Sequence, residues 1–192
     1  MIRPIQSPEQ DEYGEMYAGY VERVGERDPV DLLGRQIAIL DSLTERLDED
    51  AERSSYAEGK WSIRELIGHL MDAERVFGYR ALCFSRGDQV ELPGFEENHY
   101  VGEGRAGEVP VADLLRELEA LRYANTRLFQ RLDPEQWGRS GIASSARVTV
   151  RALAWILAGH FEHHLAVLRE RYGLERHEPA EAAFESQPET SD

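Results

Sequence analysis

Cysteine is nearly missing from this chain: Cys83 is its only thiol. That excludes an intrachain disulfide and any CxxC pair for zinc or redox chemistry. Cys83 is read as a small apolar residue inside a helix rather than as a reactive thiol. Positive charge is scarce too, with 22 lysines and arginines against 37 acidic residues and a net charge of −15. Nucleic-acid binding needs cations to neutralise phosphates, so this balance argues against a nucleic-acid partner. It also argues against attraction to an anionic membrane. Long hydrophobic runs are absent. The longest, Val150 to Phe161, is interrupted by Arg151 and His160 and is too short to span a bilayer. The stretch from Met1 to Tyr13 is polar and acidic, without the apolar centre of a signal peptide, so a cytoplasmic protein is expected. Strand-like alternation is nearly absent, and no solenoid-type repeat occurs.

What is present is helical periodicity. A hydrophobic share of 41% over 192 residues is enough for one domain with a real core. Ser7-Pro8 is read as the start of a first helix running to about Val24, with Tyr13, Tyr17 and Tyr20 on one core-facing stripe. Asp28-Pro29 opens a second helix, to about Asp48. Ser62 and Glu65 form a capping box, with Trp61 and Leu66 as a hydrophobic staple, and start a helix ending near Arg86-Gly87. Gly87 to Pro110 is expected to be a long irregular loop, of the kind that often carries function. A further helix is predicted from Pro110 to Leu132, a single turn from Asp133-Pro134 to Trp137, and a loop or small hairpin from Gly138 to Arg147. The last helix is predicted from Thr149 to Tyr172, with Gly173 as its stop. These elements predict an all-α four-helix bundle with an extra N-terminal helix and one long crossover loop. Residues 1–174 form the expected single domain, and the acidic tail 175–192 is expected to be disordered.

On the last helix an apolar stripe runs Leu153, Leu157, His160, His164, Leu168. Two histidines therefore stand where core residues belong, and a buried imidazole needs partners for its nitrogens. A divalent metal supplies them, and it takes the neutral imidazole that burial favours. His69, in line with Leu66 and Ala73 on another helix, can supply a third nitrogen and leave one side of the metal open. His163, three residues from His160, is an alternative to His164 on spacing, although the stripe favours His164.

Three segments carry a resemblance to a known family: Trp61-Ser62-Ile63-Arg64-Glu65-Leu66-Ile67-Gly68-His69-Leu70-Met71-Asp72-Ala73-Glu74, Leu92-Pro93-Gly94-Phe95-Glu96-Glu97, and Ala158-Gly159-His160-Phe161-Glu162-His163-His164. With the spaced tyrosines near the N-terminus, they resemble the DinB-like superfamily, of the DinB/YfiT type, from Pro4 to Tyr172. The resemblance implies a four-helix bundle with a divalent metal, zinc or nickel, on His69, His160 and His164, and it moves His163 to an outer layer. It also implies a small-molecule substrate. Some relatives are transferases or isomerases that use a low-molecular-weight thiol such as bacillithiol or mycothiol, and others are assigned as hydrolases. The "damage-inducible" label of the family describes expression and implies no binding to DNA.

Three functions follow from such a site as expectations. The first is thiol S-transfer, with metal coordination deprotonating the thiol. The second is hydrolysis of small amides or esters by an activated water. The third is a non-enzymatic, metal-stabilised stress-response bundle. No catalytic residue beyond the metal site is assigned. Asp72 and Glu97 join His163 as outer-layer candidates, the simpler reading being an Asp72–Arg75 pair and solvated carboxylates at Glu96 and Glu97. Arg80 is read as a surface ion-pairing residue, with an anion anchor as the alternative. A homodimer through exposed helix faces is also an expectation.

Overall fold

Residues 6–175 are described by a computed structural model; residues 1–5 and 176–192, including nearly all of the tail expected to be disordered, lie outside the described residues. Two 3₁₀ turns, Gln10–Glu12 and Glu15–Tyr17, lead into α1 (Ala18–Val24) and α2 (Pro29–Thr44). A single turn, α3 (Glu49–Glu52), precedes α4 (Ile63–Ser85) and α5 (Glu97–Gly104). Then come α6 (Val111–Phe129), α7 (Pro134–Gly138), a hairpin of β1 (Ser140–Ala143) and β2 (Ala146–Thr149), and α8 (Val150–Tyr172).

The long helices begin where the sequence supplies caps. Asp28 accepts from the Val30 and Asp31 amides ahead of α2, with Pro29 in the first turn. Ser62 and Glu65 form the reciprocal capping box of α4, the Ser62 amide donating to Glu65 Oε2 at 2.7 Å. Thr149 Oγ1 accepts from the Ala152 amide at 3.0 Å and starts α8, which Gly173 ends at φ 69°.

Four of these helices, α2, α4, α6 and α8, make the bundle; α2 and α4 each pack against both α6 and α8. α1 lies along α8. The N-terminal segment is tied there by Trp155 Nε1 donating to the Gly25 carbonyl at 3.1 Å and by an Arg151–Glu12 pair at 2.6 Å. A methyl group at Gly159 would overlap the Tyr20 carbonyl, so only glycine lets the two backbones approach this closely.

Three expectations are corrected. The first helix does not run from Ser7 to Val24. Gly14 and an extended Tyr13, at φ −152° and ψ 157°, break it, so Tyr13 and Tyr20 are not on one helical stripe. The segment 87–110 is not irregular either. Glu96 accepts from the Asn98 and His99 amides and caps α5, and the Leu92 amide and carbonyl bond to Ile142 and Ser144, stitching the crossover to the hairpin. α2 also stops at Thr44, four residues short of the expected end, with α3 following.

The bundle core divides into two apolar clusters. One holds Leu33, Phe77, Phe129 and Leu157; the other holds Leu40, Leu66, Leu118 and Leu165. Between them runs a polar layer. Arg122 on α6 donates to Glu74 on α4 at 2.5 Å, and to the Leu33 carbonyl and Gln36 Oε1 on α2 at 3.0 and 2.8 Å. Gln36 Nε2 completes the layer by donating to the Ala158 carbonyl on α8 at 2.9 Å. Asn125 donates to the second Glu74 oxygen at 2.7 Å, and the guanidinium lies 4.5 Å from the centre of the Phe161 ring. All four helices meet in this one network.

Removing one partner of a buried pair strands the other charge. Glu74→Ala is therefore expected to destabilise the fold by about 3–5 kcal/mol. Urea unfolding measures it, and a loss under about 1 kcal/mol would show that the layer is not a clamp.

Candidate metal centre

His69 projects from the second turn of α4, whose start is fixed by the capping box, and His160 and His164 project from the buried stripe of α8. All three are buried, as are Leu153, Leu157 and Leu168 on either side of the α8 pair. Their Nε2 atoms converge: His69 to His160 at 2.9 Å, and His164 to His160 at 3.2 Å. One ring nitrogen from each lies within 4.8 Å of the others, and among the described residues no carboxylate or thiol joins the group.

Burial dominates the electrostatics. It pulls His69 down to about 4, with His163 adding to the effect. His160 and His164 are pushed well below the usual imidazole range by burial, then by the neighbouring histidines, and at His160 also by Arg122. The three rings are neutral at pH 7. A neutral imidazole has one N–H, so three facing Nε2 atoms cannot all be satisfied by one another. A divalent ion fits the arrangement: nitrogens 2.0–2.1 Å from a tetrahedral zinc stand about 3.3 Å apart. Nδ1 of His164 is buried and has no hydrogen-bond partner among the described residues, so none of them fixes its tautomer through that nitrogen.

Aromatic rings wall the cluster. Trp61 lies 4.8 Å from His69 between ring centres, while Tyr20 lies 5.3 Å and Phe77 6.1 Å from His160. From the sequence, Trp61 reads as a staple residue, and for Tyr20 core packing is favoured over a ligand surface. Tyr20 reaches the site because of the close approach at Gly159, which no periodicity reveals.

The outer-layer candidates separate. His163 is half-buried, with its ring 5.0 Å from His164 and 5.8 Å from Tyr20, beside the cluster but outside it. Glu97 is exposed at the start of α5 and makes no hydrogen bond to the histidines. Its charge, after burial, helps raise the Tyr20 hydroxyl above its ordinary value. Asp72 makes no hydrogen bond to them either. It faces Arg75 at 3.7 Å and lines a cavity of about 240 Å³ with Glu65, Tyr100 and Glu117. Burial raises its carboxyl and Arg75 opposes the rise. Arg80 is no surface residue: it is 2% exposed.

Because the folded histidines bind protons more weakly than an unfolded histidine near 6.5, the unfolded chain takes up more protons below that pH. Stability of the metal-free protein is therefore level above pH 7 and falls as pH drops through the window from 6.5 toward 4. The fall should reach about 1.4 kcal/mol per pH unit for each histidine. Urea midpoints between pH 7.5 and 5.5, where carboxylates stay ionised, test this; a flat profile would contradict it, and His69→Gln should reduce the slope.

Comparison with known proteins agrees with this architecture. Residues 32–168 match the DinB superfamily. Over 124 residues the chain is 26% identical to a protein of Oceanobacillus iheyensis named for an inferred metal-dependent hydrolase activity; the match covers 64% of this chain and 71% of that protein. The fold superposes on YfiT from Bacillus subtilis with a TM-score of 0.67 and 20% identity, covering 77% of this chain and 87% of YfiT. YfiT is described as an unusual four-helix bundle with an inferred metal-dependent hydrolase activity. A mycothiol-dependent maleylpyruvate isomerase superposes with a TM-score of 0.61 and 13% identity, over 76% of this chain and 60% of the isomerase. At these identities the two structures speak to fold alone. Among the described residues no helix is long and apolar enough to cross a membrane. The chain belongs to the DinB superfamily, with that family's four-helix bundle.

Proposed function

We propose that this protein is a metal-dependent enzyme in which His69, His160 and His164 hold one divalent ion, zinc or nickel, and that it transfers a low-molecular-weight thiol to an electrophilic small molecule. The observation that carries the reading is the convergence of three neutral, buried Nε2 atoms at 2.9 and 3.2 Å from two helices. An ion held by these three rings would lower the pKa of a bound thiol, so that the thiol gives its proton to solvent and is available as the thiolate nucleophile.

The chain's own residues bind and exclude. Trp61, Tyr20 and Phe77 keep bulk water from the histidines and offer apolar surface to a substrate. Tyr20, on α1, and His163, on the outer face of α8, border a shallow surface depression. Among the described residues no carboxylate joins the three rings. Hydrolysis depends on moving a proton off water and onto the leaving group, whereas a thiol deprotonated by coordination needs no such base. That difference favours thiol transfer. The likeness to relatives named for hydrolase activity supports hydrolysis of small amides or esters as the second reading.

Elemental analysis of protein purified without a histidine tag should find one divalent ion per chain, and His160→Ala or His164→Ala should remove it. The metal-loaded protein should turn over a haloarene or similar electrophile only when a small thiol is added. Turnover of an ester or amide without thiol, with a basic limb near pH 7, would replace thiol transfer by hydrolysis. Absence of bound metal in the intact protein would overturn both.

A further inference from the structure

Arg64, Arg80 and Arg122 are buried to 2–3% exposure. Two of them have their carboxylate, Arg64 in Glu52 and Arg122 in Glu74, each at 2.5 Å. Arg80 has none among the described residues. Its acceptors are uncharged: Nη2 donates to the Pro93 carbonyl at 2.8 Å and to Ser144 Oγ at 2.9 Å. Among the described residues Nη1 has only the Tyr17 hydroxyl at 3.5 Å, the limit of a hydrogen bond, and Nε has no acceptor. A guanidinium does not give up its proton, so Arg80 is a buried full charge without a counter-charge.

Its position links it to the histidines. Phe77 and Arg80 continue the α4 face of His69 and Ala73. The Phe77 ring touches both ends, with its centre 6.1 Å from the His160 ring and 5.6 Å from the Arg80 guanidinium carbon. Tyr17, the weak partner of Nη1, packs edge-on against that same ring at 6.1 Å. The guanidinium edge with unfilled donors is thus one aromatic ring away from the cluster. Its cover consists of Pro93 on the crossover and Ser144 at the hairpin tip, a non-glycine residue at φ 52°. These are loops stitched to each other through Leu92 and are not part of the bundle core.

We propose that Arg80 is the anchor for a carboxylate carried by the small molecule on which the histidine site acts. The substrate is then a singly charged carboxylate whose apolar body lies along Phe77 and whose reactive end reaches the histidines. A planar pair of oxygens matches the donors of one guanidinium edge, and one negative charge matches the single cation present. This assignment rests on the enzymatic reading of the histidines.

The test is thermal unfolding of the full chain at constant ionic strength, with sodium butyrate against its neutral isostere butyramide, metal-free and again with zinc. Butyrate should raise Tm saturably by a few degrees and butyramide should not. Arg80→Gln should abolish the butyrate response and keep the zinc response, while Arg80→Lys should retain a weaker butyrate response. No difference between butyrate and butyramide, or a butyrate response that survives in Arg80→Gln, would overturn the assignment. If Arg80→Gln does not fold cooperatively, the wild-type comparison and Arg80→Lys decide. A zinc response without a butyrate response overturns this inference alone; a butyrate response without a zinc response keeps the anion site and removes the metal reading.

Discussion

Arg122 reaching Glu74 across the middle of the bundle is the constraint under which the site is built. Through Gln36, Asn125 and two backbone carbonyls, that pair fixes the height of α2, α4, α6 and α8 relative to one another. Apolar packing alone specifies the register of one helix along another less sharply, because hydrophobic attraction has no direction. A charged pair cannot slide without losing its partner. The histidines depend on that register, since His69 and His160 come from different helices and meet within 2.9 Å. The same guanidinium adds to burial in keeping His160 unprotonated, so one side chain serves both geometry and proton affinity.

Much of this was legible in the sequence, and the parts that were share a cause. Ser62-x-x-Glu65, Asp28-Pro29, Thr149 and Gly173 are local signals whose hydrogen bonds close within a few residues, and each marked a helix end correctly. The α8 stripe was readable because steps of four, three, four and four put Leu153, Leu157, His160, His164 and Leu168 on one buried face. The failures lie where the deciding contact is distant. Nothing near Tyr13 announces that Gly14 will lie where a side chain would crowd Ala146, or that the backbone there is extended. Glu96 caps α5 as a carboxylate of a type that is common in loops. Arg80 looks like any helical arginine until the crossover and the hairpin close over it.

The chain's charge is distributed in a way its total conceals. At −15 overall, the chain still buries three arginines beside three neutral imidazoles, and of those arginines Arg64 and Arg122 have a carboxylate partner while Arg80 has none among the described residues. The interior is therefore short of negative charge while the chain as a whole has an excess. An acidic protein repels anions at long range, so an anionic substrate would be held by short-range contacts in a desolvated place rather than gathered by the overall field.

The N-terminal segment has one more consequence, concerning order in time. Its ties all reach far along the chain: Glu12 to Arg151, Gly25 to Trp155, and the Tyr20 backbone to the bare face of Gly159. A ribosome makes those early residues well before the helix that receives them, and contacts of such long sequence separation close late in folding. The wall over His160 is thus synthesised ahead of its support. Until α8 has formed, the nascent chain must keep Tyr20 without the Gly159 face and the His160 and His163 rings on which it finally rests.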